Sequence, residues 1–141
     1  ITLAGDDRSR VRSKADILAN CATRAEQVVD ARDAGRFTGE TGDAVHGLPG
    51  GHIPGARHLF FRALLAEDGT FLPPDTLRAR FADAGLDLDR PLVASCGSGI
   101  TASVVLFAAA LAGKHDAALY DGSWSEWGAD PATPKETGAA R

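Results

Sequence analysis

The sequence lacks methionine altogether, and it has only two cysteines and no long hydrophobic run. Two thiols, Cys21 and Cys96, are too few for a disulfide framework, so we expect a reduced, cytoplasmic setting. The longest apolar stretch, residues 104–112, is too short to cross a bilayer, which takes about 20 residues. The first residues contain neither a start methionine nor the apolar core of a signal peptide. We therefore expect the chain to be a piece of a longer protein.

Charge of neither sign dominates. Lysine and arginine number 15 against 19 acidic residues, which gives a net charge of −4, and no basic cluster is visible. This balance argues against nucleic acid or an anionic membrane surface as the main partner. The four histidines have no metal-ligand spacing and there is no Cys-x-x-Cys pair. We therefore expect no metal site and no thioredoxin-like redox centre.

Short apolar runs alternate with helical patterns along the chain. The predicted strands are residues 27–31, 91–95 and 117–121, and the predicted helices are residues 13–22, 73–84, 101–113 and 122–128, with one helical turn in RDAGRF. The first helix carries a capping box, with Ser13 as N-cap and Asp16 three residues later. Strands that are apolar throughout predict an α/β fold, in which helices cover both faces of a parallel sheet.

One domain is predicted, at residues 13–130. Residues 1–12 are polar and mixed in charge, and they are interpreted as a linker or a packed N-terminal arm. Residues 131–141 are predicted to form a frayed C-terminal tail.

Cys96 stands at the point where a buried strand gives way to a glycine-rich turn and then to a helix. Ligand and catalytic sites of open α/β sheets lie at the carboxyl ends of the strands. The glycines of CGSG allow backbone N–H groups to converge, and the following helix N-terminus adds partial positive charge. Such a turn stabilises an anion at the sulfur or one atom beyond it, and it favours the thiolate.

Three interpretations of this cysteine differ in their chemistry. A cysteine phosphatase needs an arginine six positions after the nucleophile, and that position is Ala102. A buried thiol in a tight strand–helix turn needs no reactivity at all. A persulfide sulfur is a smaller anion than phosphate, and it suits a short loop of small residues.

Four motifs occur in order: VVDARDAGRF, GHIPGARHL, CGSGITAS and YDGSWSEW. Together they resemble the rhodanese-like sulfurtransferases, and specifically the C-terminal catalytic domain of the tandem-domain enzymes. The resemblance implies a three-layer α/β domain with a central parallel sheet of about five strands. Within that family, CGSGIT is similar to the loop of the 3-mercaptopyruvate sulfurtransferases and departs from it only at Ile100. The thiosulfate enzymes usually carry arginine and lysine after the cysteine.

The resemblance implies a two-step reaction without a cofactor. The Cys96 thiolate takes sulfur from 3-mercaptopyruvate and becomes a persulfide, and a thiol, a thioredoxin-like protein or cyanide then removes the sulfur. The backbone N–H groups of the loop, Gly97, Ser98, Gly99, Ile100 and Thr101, are expected to hold the persulfide. Ser98 is expected to act with Cys96 in catalysis by binding the substrate carbonyl or moving a proton, and Thr101 to lend its hydroxyl to the loop.

Arg36 matches the substrate-binding arginine of the family and is the candidate for the substrate carboxylate, with a surface salt bridge as the alternative. A second arginine found in related loops is missing here, where only His46 is available as a partial substitute. Asp30 and Arg32 are expected to pair with each other or to bind the loop backbone.

Two further interpretations stay open. The donor is thiosulfate in the first, and in the second the chain is a non-catalytic rhodanese-like binding module. The resemblance also implies an N-terminal rhodanese-like domain in the same full-length protein as a partner. We expect His52 to fix a turn, and Trp124 and Trp127 to lie in the core or at a domain interface.

Overall fold

A computed structural model of the chain describes residues 10–42, 47–97 and 101–140. Within these ranges the strands are β1 (Val11–Arg12), β2 (Gln27–Asp30), β3 (Arg57–His58), β4 (Leu92–Ser95) and β5 (Ala118–Tyr120). The α-helices are α1 (Lys14–Thr23), α2 (Ala34–Thr38), α3 (Pro74–Asp83), α4 (Ala102–Leu111) and α5 (Ser123–Trp127), and a 3-10 helix spans Phe61–Leu64.

The strands form one sheet in the order β1-β5-β4-β2-β3, and every described pair is parallel. β2 and β4 lie side by side at the centre, where Val28 is in register with Val93 and Asp30 with Ser95. The carboxyl ends of these two strands therefore meet at the same edge of the sheet. The predicted five-stranded parallel sheet is confirmed.

Each face of the sheet carries its own apolar cluster. Val29 and Ala94 pack with residues of the 3-10 helix, α3 and α4. Val28 and Val93, one position earlier in each strand, pack with residues of α1, α2 and α5. Successive side chains of a strand point to opposite faces, so buried runs such as LVAS serve both clusters at once. The three-layer arrangement predicted from the sequence is confirmed.

The capping box predicted at the start of α1 is present. The backbone N–H of Asp16 donates to Ser13 Oγ (3.1 Å), and the N–H of Ser13 donates to Asp16 Oδ2 (2.9 Å). The preceding residues Val11–Arg12 pair with β5, so this part of the N-terminal arm is packed against the sheet edge.

The prediction that the C-terminal tail frays is wrong for the residues that the structure describes. His52 and Glu136 exchange two backbone hydrogen bonds, with N···O distances of 2.8 and 2.9 Å. The indole Nε1–H of Trp127 donates to the Pro134 carbonyl (2.7 Å). Backbone pairing and an indole donor hold this segment, and neither contact requires the apolar periodicity that its sequence lacks. None of the described helices is long and apolar enough to cross a membrane.

Candidate active site at the carboxyl edge of the sheet

The predicted nucleophile lies where the sequence placed it. Cys96 follows β4 directly, and α4 begins at Ala102 after the glycine-rich turn. Cys96 is buried and belongs to the apolar cluster shared by α3 and α4. Of the predicted loop, Gly97 and Thr101 are described, whereas Ser98, Gly99 and Ile100 lie outside the described residues.

The N-terminus of α5 holds the backbone of the cysteine turn. The N–H of Trp124 donates to the Cys96 carbonyl, and the N–H of Ser125 donates to the Gly97 carbonyl, both at 2.8 Å. N–H groups in the first turn of a helix have no partner within the helix, so α5 offers two donors that the turn accepts. No local sequence pattern predicts this contact, because α4 and β5 separate the two segments along the chain.

This contact sets the direction of the peptide groups around the thiol. In a trans peptide the N–H points opposite to the preceding C=O. Because the Cys96 carbonyl faces α5, the N–H of Gly97 points away from α5. The two carbonyl oxygens that would repel an anion are therefore engaged by α5, while an N–H is directed to the other side of the turn.

Ser123 is a site residue that the sequence reasoning missed. Its side chain is fully buried, and its Oγ accepts a hydrogen bond from the Cys96 N–H (3.0 Å) and donates one to the Tyr120 carbonyl (2.9 Å). Its φ is +52°, a left-handed conformation that is uncommon outside glycine. The available signal was a serine three positions after the end of β5, a strand whose carboxyl end reaches the same sheet edge as Cys96.

Asp30 and Arg32 pair with each other, as the sequence predicted. Arg32 Nε lies 3.0 Å from Asp30 Oδ1 and Arg32 Nη2 lies 2.7 Å from Asp30 Oδ2, and both side chains are buried. Arg32 Nη2 also donates to the Gly51 carbonyl (2.5 Å). A buried ion pair with additional hydrogen bonds of this kind fixes the geometry of its surroundings. Here it joins the end of β2 to the loop before β3.

Trp124 connects this ion pair to the cysteine turn. The Arg32 guanidinium carbon lies 4.7 Å from the centre of the Trp124 ring, a cation–π contact. The indole Nε1–H of Trp124 donates to the Pro49 carbonyl (2.9 Å), while its backbone N–H holds Cys96. Trp124 and Trp127 are both buried in the sheet-face cluster of α1, α2 and α5. Of the two locations predicted for the tryptophans, the structure places them in the core.

His52 fixes a turn, as predicted. Among the described residues, its ring makes no hydrogen bond to Cys96. Its ring is fully buried and stacked on Phe37, with centroids 3.9 Å apart. Nδ1 lies 2.8 Å from the Phe37 carbonyl and is the donor in this hydrogen bond, since a carbonyl only accepts.

Arg36 lies in α2, the helix that follows β2, at the same edge of the sheet as Cys96. Its Nε donates to Asp33 Oδ2 (2.9 Å), which is the ion pair weighed as the alternative to substrate binding. Partial burial raises the pKa of Asp33, but hydrogen bonds from the Arg36 backbone N–H and guanidinium outweigh it and hold that pKa below its ordinary value. Binding of a substrate carboxylate by Arg36 stays a prediction, and His46 lies outside the described residues.

Thr101 does not make the capping contact, and the second cysteine, Cys21, lies on α1. Thr101 occupies the cap position of α4, but its hydroxyl makes no capping hydrogen bond. Cys21, the second cysteine, is half-buried on α1, and burial raises the pKa of its thiol, which disfavours the thiolate. Across residues 10–42, 47–97 and 101–140, no three His, Cys, Asp or Glu side chains are grouped to hold a metal ion.

The chain is similar in sequence to rhodanese-like proteins over most of its length. The family model described as Rhodanese-like domain matches residues 13–130. The chain is 45% identical over 121 residues to 3-mercaptopyruvate sulfurtransferase of Mus musculus and 44% identical over 122 residues to thiosulfate sulfurtransferase of Cricetulus griseus. Each alignment covers 86% of this chain and 41% of the relative. The chain thus spans about two fifths of the length of these curated relatives.

Among solved structures, the chain is similar to the Tum1 protein of Saccharomyces cerevisiae. The TM-score is 0.80 at 30% sequence identity, over 91% of this chain and 47% of that chain. The similarity supports the sheet order and the helical layers described above.

Proposed function

The chain belongs to the rhodanese-like family, and from this premise we propose that it is a sulfurtransferase that carries sulfur on Cys96 from 3-mercaptopyruvate to a thiol acceptor. The observation that carries the proposal is the cysteine turn itself. Cys96 follows a central strand, its N–H is bound by Ser123, and its carbonyl is bound by α5. This arrangement holds a thiol in a fixed place at the edge where α/β folds bind substrates.

In the first step the Cys96 thiolate attacks the sulfur of 3-mercaptopyruvate. A sulfur–sulfur bond forms as the carbon–sulfur bond breaks, and the electron pair of that bond remains on the carbon as the enolate of pyruvate. The proton of the donor thiol moves to that carbon, which leaves pyruvate and a Cys96 persulfide anion. In the second step an acceptor thiolate takes the outer sulfur and regenerates the Cys96 thiolate.

The loop residues have separate parts in this proposal. The N–H groups of Gly97 to Thr101 would hold the persulfide anion, in the manner of an oxyanion hole. The direction of the Gly97 N–H, away from α5, supports this part. Ser98 would bind the substrate carbonyl or pass the proton to the enolate carbon. Arg36 would bind the substrate carboxylate, which requires it to share or exchange its contact with Asp33.

Thiosulfate is the second candidate donor. Relatives named for each of the two donors are similarly identical to this chain, at 45% and 44%, so identity favours neither. The loop sequence favours 3-mercaptopyruvate, because Ser98 and Gly99 leave the turn without a cationic side chain. A dianionic donor such as thiosulfate gains more from cations than 3-mercaptopyruvate does.

The acceptor and the neighbouring domain are part of the same proposal. A small thiol or a thioredoxin-like protein would take the sulfur, which places the chain in a reducing, cytoplasmic setting. The matched relatives are more than twice as long as the aligned part of this chain, which is consistent with a second rhodanese-like domain in the full-length protein. We propose that this second domain covers the cysteine edge of the sheet.

Intact-protein mass spectrometry tests the proposal directly. After incubation with 3-mercaptopyruvate, the chain should gain the mass of one sulfur atom, and a thiol acceptor should remove it. Cys96→Ser should gain nothing, whereas Cys21→Ser is the matched control and should gain sulfur like the unchanged chain. Absence of an adduct with both 3-mercaptopyruvate and thiosulfate would identify a non-catalytic module.

The donor assignment has its own test. Rates of adduct formation with 3-mercaptopyruvate and with thiosulfate should be compared on the same preparation. A clear preference for thiosulfate would overturn the donor assignment and leave the sulfurtransferase proposal in place.

A further inference from the structure

Three arginines line one cleft at the amino ends of the strands. Cys96 lies at the opposite edge, where the strands have their carboxyl ends. Arg24 is the C-cap of α1, Arg57 begins β3, and Arg90 lies in the turn before β4. All three line a cleft of about 190 Å³, together with Gln27 and Glu26 among others. We refer to Arg24, Arg57 and Arg90 as the arginine cluster.

Two glycines make room for this cluster. A Cβ at Gly55 would overlap the Arg24 guanidinium, and a Cβ at Gly85 would lie 3.4 Å from the Arg57 guanidinium. Both glycines have φ of +82°, a conformation that other residues rarely adopt. A side chain at position 55 would therefore displace the Arg24 guanidinium, whereas the Arg57 guanidinium packs over Gly85 at van der Waals distance.

Gln27 fixes the turn that carries Arg90. The side-chain amide of Gln27 donates to the Asp87 carbonyl (2.7 Å) and accepts from the Asp87 N–H (2.8 Å). Because Gln27 is the first residue of β2, this pair of bonds ties the turn to the central sheet. The cluster is thus assembled by three different elements around one cleft.

The charge of the cleft is unbalanced. Among the described residues, no carboxylate lies within 4.0 Å of a guanidinium nitrogen of the arginine cluster. Glu26 lines the cleft, but its two oxygens are bound by Arg12 at 2.9 and 2.8 Å. The nearby Glu136 accepts a hydrogen bond from the Gly55 N–H (3.2 Å). Three like charges thus line one cleft, with Arg24 and Arg90 exposed and Arg57 half-buried, and none of them is in an ion pair with another described residue.

We propose that the arginine cluster binds a small oxyanion of the phosphate and sulfate class. Planar guanidinium groups present paired N–H donors that match two oxygens of such an anion. The cleft is smaller than the roughly 300–1,000 Å³ of pockets for drug-sized ligands, which fits an ion and not a larger cofactor. The anion is either a free inorganic ion or the phosphate of a small organic monoester.

This site is separate from the cysteine turn. Arg90 and Cys96 stand at opposite ends of β4, six positions apart in the sequence. At about 3.3 Å per residue, this spacing corresponds to roughly 20 Å along the strand direction. The oxyanion site therefore does not depend on the proposed sulfur transfer, and either proposal can fail without the other.

Calorimetric titration of the chain with inorganic phosphate and inorganic sulfate tests the site. Chloride at equal ionic strength is the reference, and it should give no saturable binding. Arg57→Gln and Arg90→Gln should each weaken phosphate binding by about tenfold or more, since each removes a charge-assisted contact. Arg62→Gln removes the same charge from an exposed position on the 3-10 helix, and it should bind phosphate like the unchanged chain.

Three results would overturn the proposal: equal binding of chloride, unchanged phosphate affinity in both Arg57→Gln and Arg90→Gln, or an equal loss in Arg62→Gln. Far-UV circular dichroism and sulfur uptake on Cys96, both expected to be unchanged in Arg57→Gln and Arg90→Gln, confirm that the variants are folded. Titration with a simple alkyl monophosphate distinguishes the two sources. Tighter binding than inorganic phosphate indicates an organic ligand, and weaker binding indicates the free ion.

Discussion

Replacing Ser123 by alanine removes one oxygen that makes two buried hydrogen bonds. The Cys96 N–H loses its acceptor, and the Tyr120 carbonyl loses a donor. Both bonds lie in a fully buried environment, so water does not replace the lost oxygen. The backbone bonds from α5 to the cysteine turn are unaffected by the substitution itself, because they come from the N–H groups of Trp124 and Ser125.

The expected cost follows from these two bonds. An N–H left buried without an acceptor costs about 1–3 kcal/mol, and an ordinary hydrogen bond contributes about 0.5–1.5 kcal/mol. We therefore expect Ser123→Ala to lower the free energy of unfolding by about 2–4 kcal/mol. The left-handed backbone at Ser123 is equally strained with alanine, so strain cancels in this comparison. Glycine relieves that strain, and Ser123→Gly should be about 1 kcal/mol more stable than Ser123→Ala.

Urea denaturation of the unchanged chain, Ser123→Ala and Ser123→Gly measures these differences in the free energy of unfolding. Ser125→Ala is the matched control. The Ser125 hydroxyl donates to the Gly122 carbonyl within its own turn and is only half-buried, so its loss should cost less than about 1 kcal/mol. Below the unfolding transition, Ser123→Ala should also take up sulfur on Cys96 more slowly than Ser125→Ala. Equal stability and equal uptake in the two alanine variants would refute the role assigned to Ser123.

Two further predictions concern the arginines near the site. Arg32→Met leaves the buried Asp30 carboxylate without its partner and should lower the free energy of unfolding by about 3–5 kcal/mol, measured by denaturant titration. Arg36→Met removes the guanidinium that lowers the pKa of Asp33, so that pKa should rise toward its ordinary value, measured by NMR titration of the carboxyl carbon. Stability gained from a lowered carboxyl pKa is present above the unfolded pKa of about 3.9 and is lost as pH falls, so Arg36→Met should lose less stability on acidification.

Each of these predictions has a control. Adding Asp30→Asn to Arg32→Met removes the uncompensated charge and should recover part of the lost stability. A loss below about 1 kcal/mol in Arg32→Met alone would contradict the energetic importance of the pair. An Asp33 pKa that is unchanged in Arg36→Met would contradict a contribution of the Arg36 guanidinium to the lowered pKa.

The sheet was predictable because the local sequence of its central strands has a recognisable pattern. QVVD and LVAS are short runs with an apolar centre, Val28-Val29 and Val93-Ala94, and such runs are typical of parallel strands buried on both faces. β1 and β3 have two residues each, which is too short for any periodicity, and they were not predicted as strands. The tail was mispredicted for a related reason. Its contacts include backbone bonds to His52, an indole bond from Trp127 and polar side-chain bonds of Thr133 and Glu136, and none of them produces an apolar periodicity in the sequence.

Some residues of the candidate site were predictable from local sequence, and others depend on the three-dimensional fold. The position of Cys96 follows from local sequence, since a buried strand, a glycine-rich turn and a helix are read in order. The Asp30–Arg32 pair was also accessible, because the two residues are two positions apart at a strand end. Ser123 was not accessible in this way. Its role depends on the alignment of the carboxyl ends of β4 and β5, which the fold alone establishes.

The contact between α5 and the cysteine turn makes the position of the proposed nucleophile dependent on a distant part of the chain. α5 is held at its far end by the bond from Trp127 to Pro134, beyond the last residue of the family match. A displacement of α5 carries the carbonyls of Cys96 and Gly97 with it and rotates the intervening peptide. We therefore predict that a neighbouring domain or binding partner that displaces α5 or residues 131–140 changes the rate of sulfur uptake on Cys96 without contacting the sulfur.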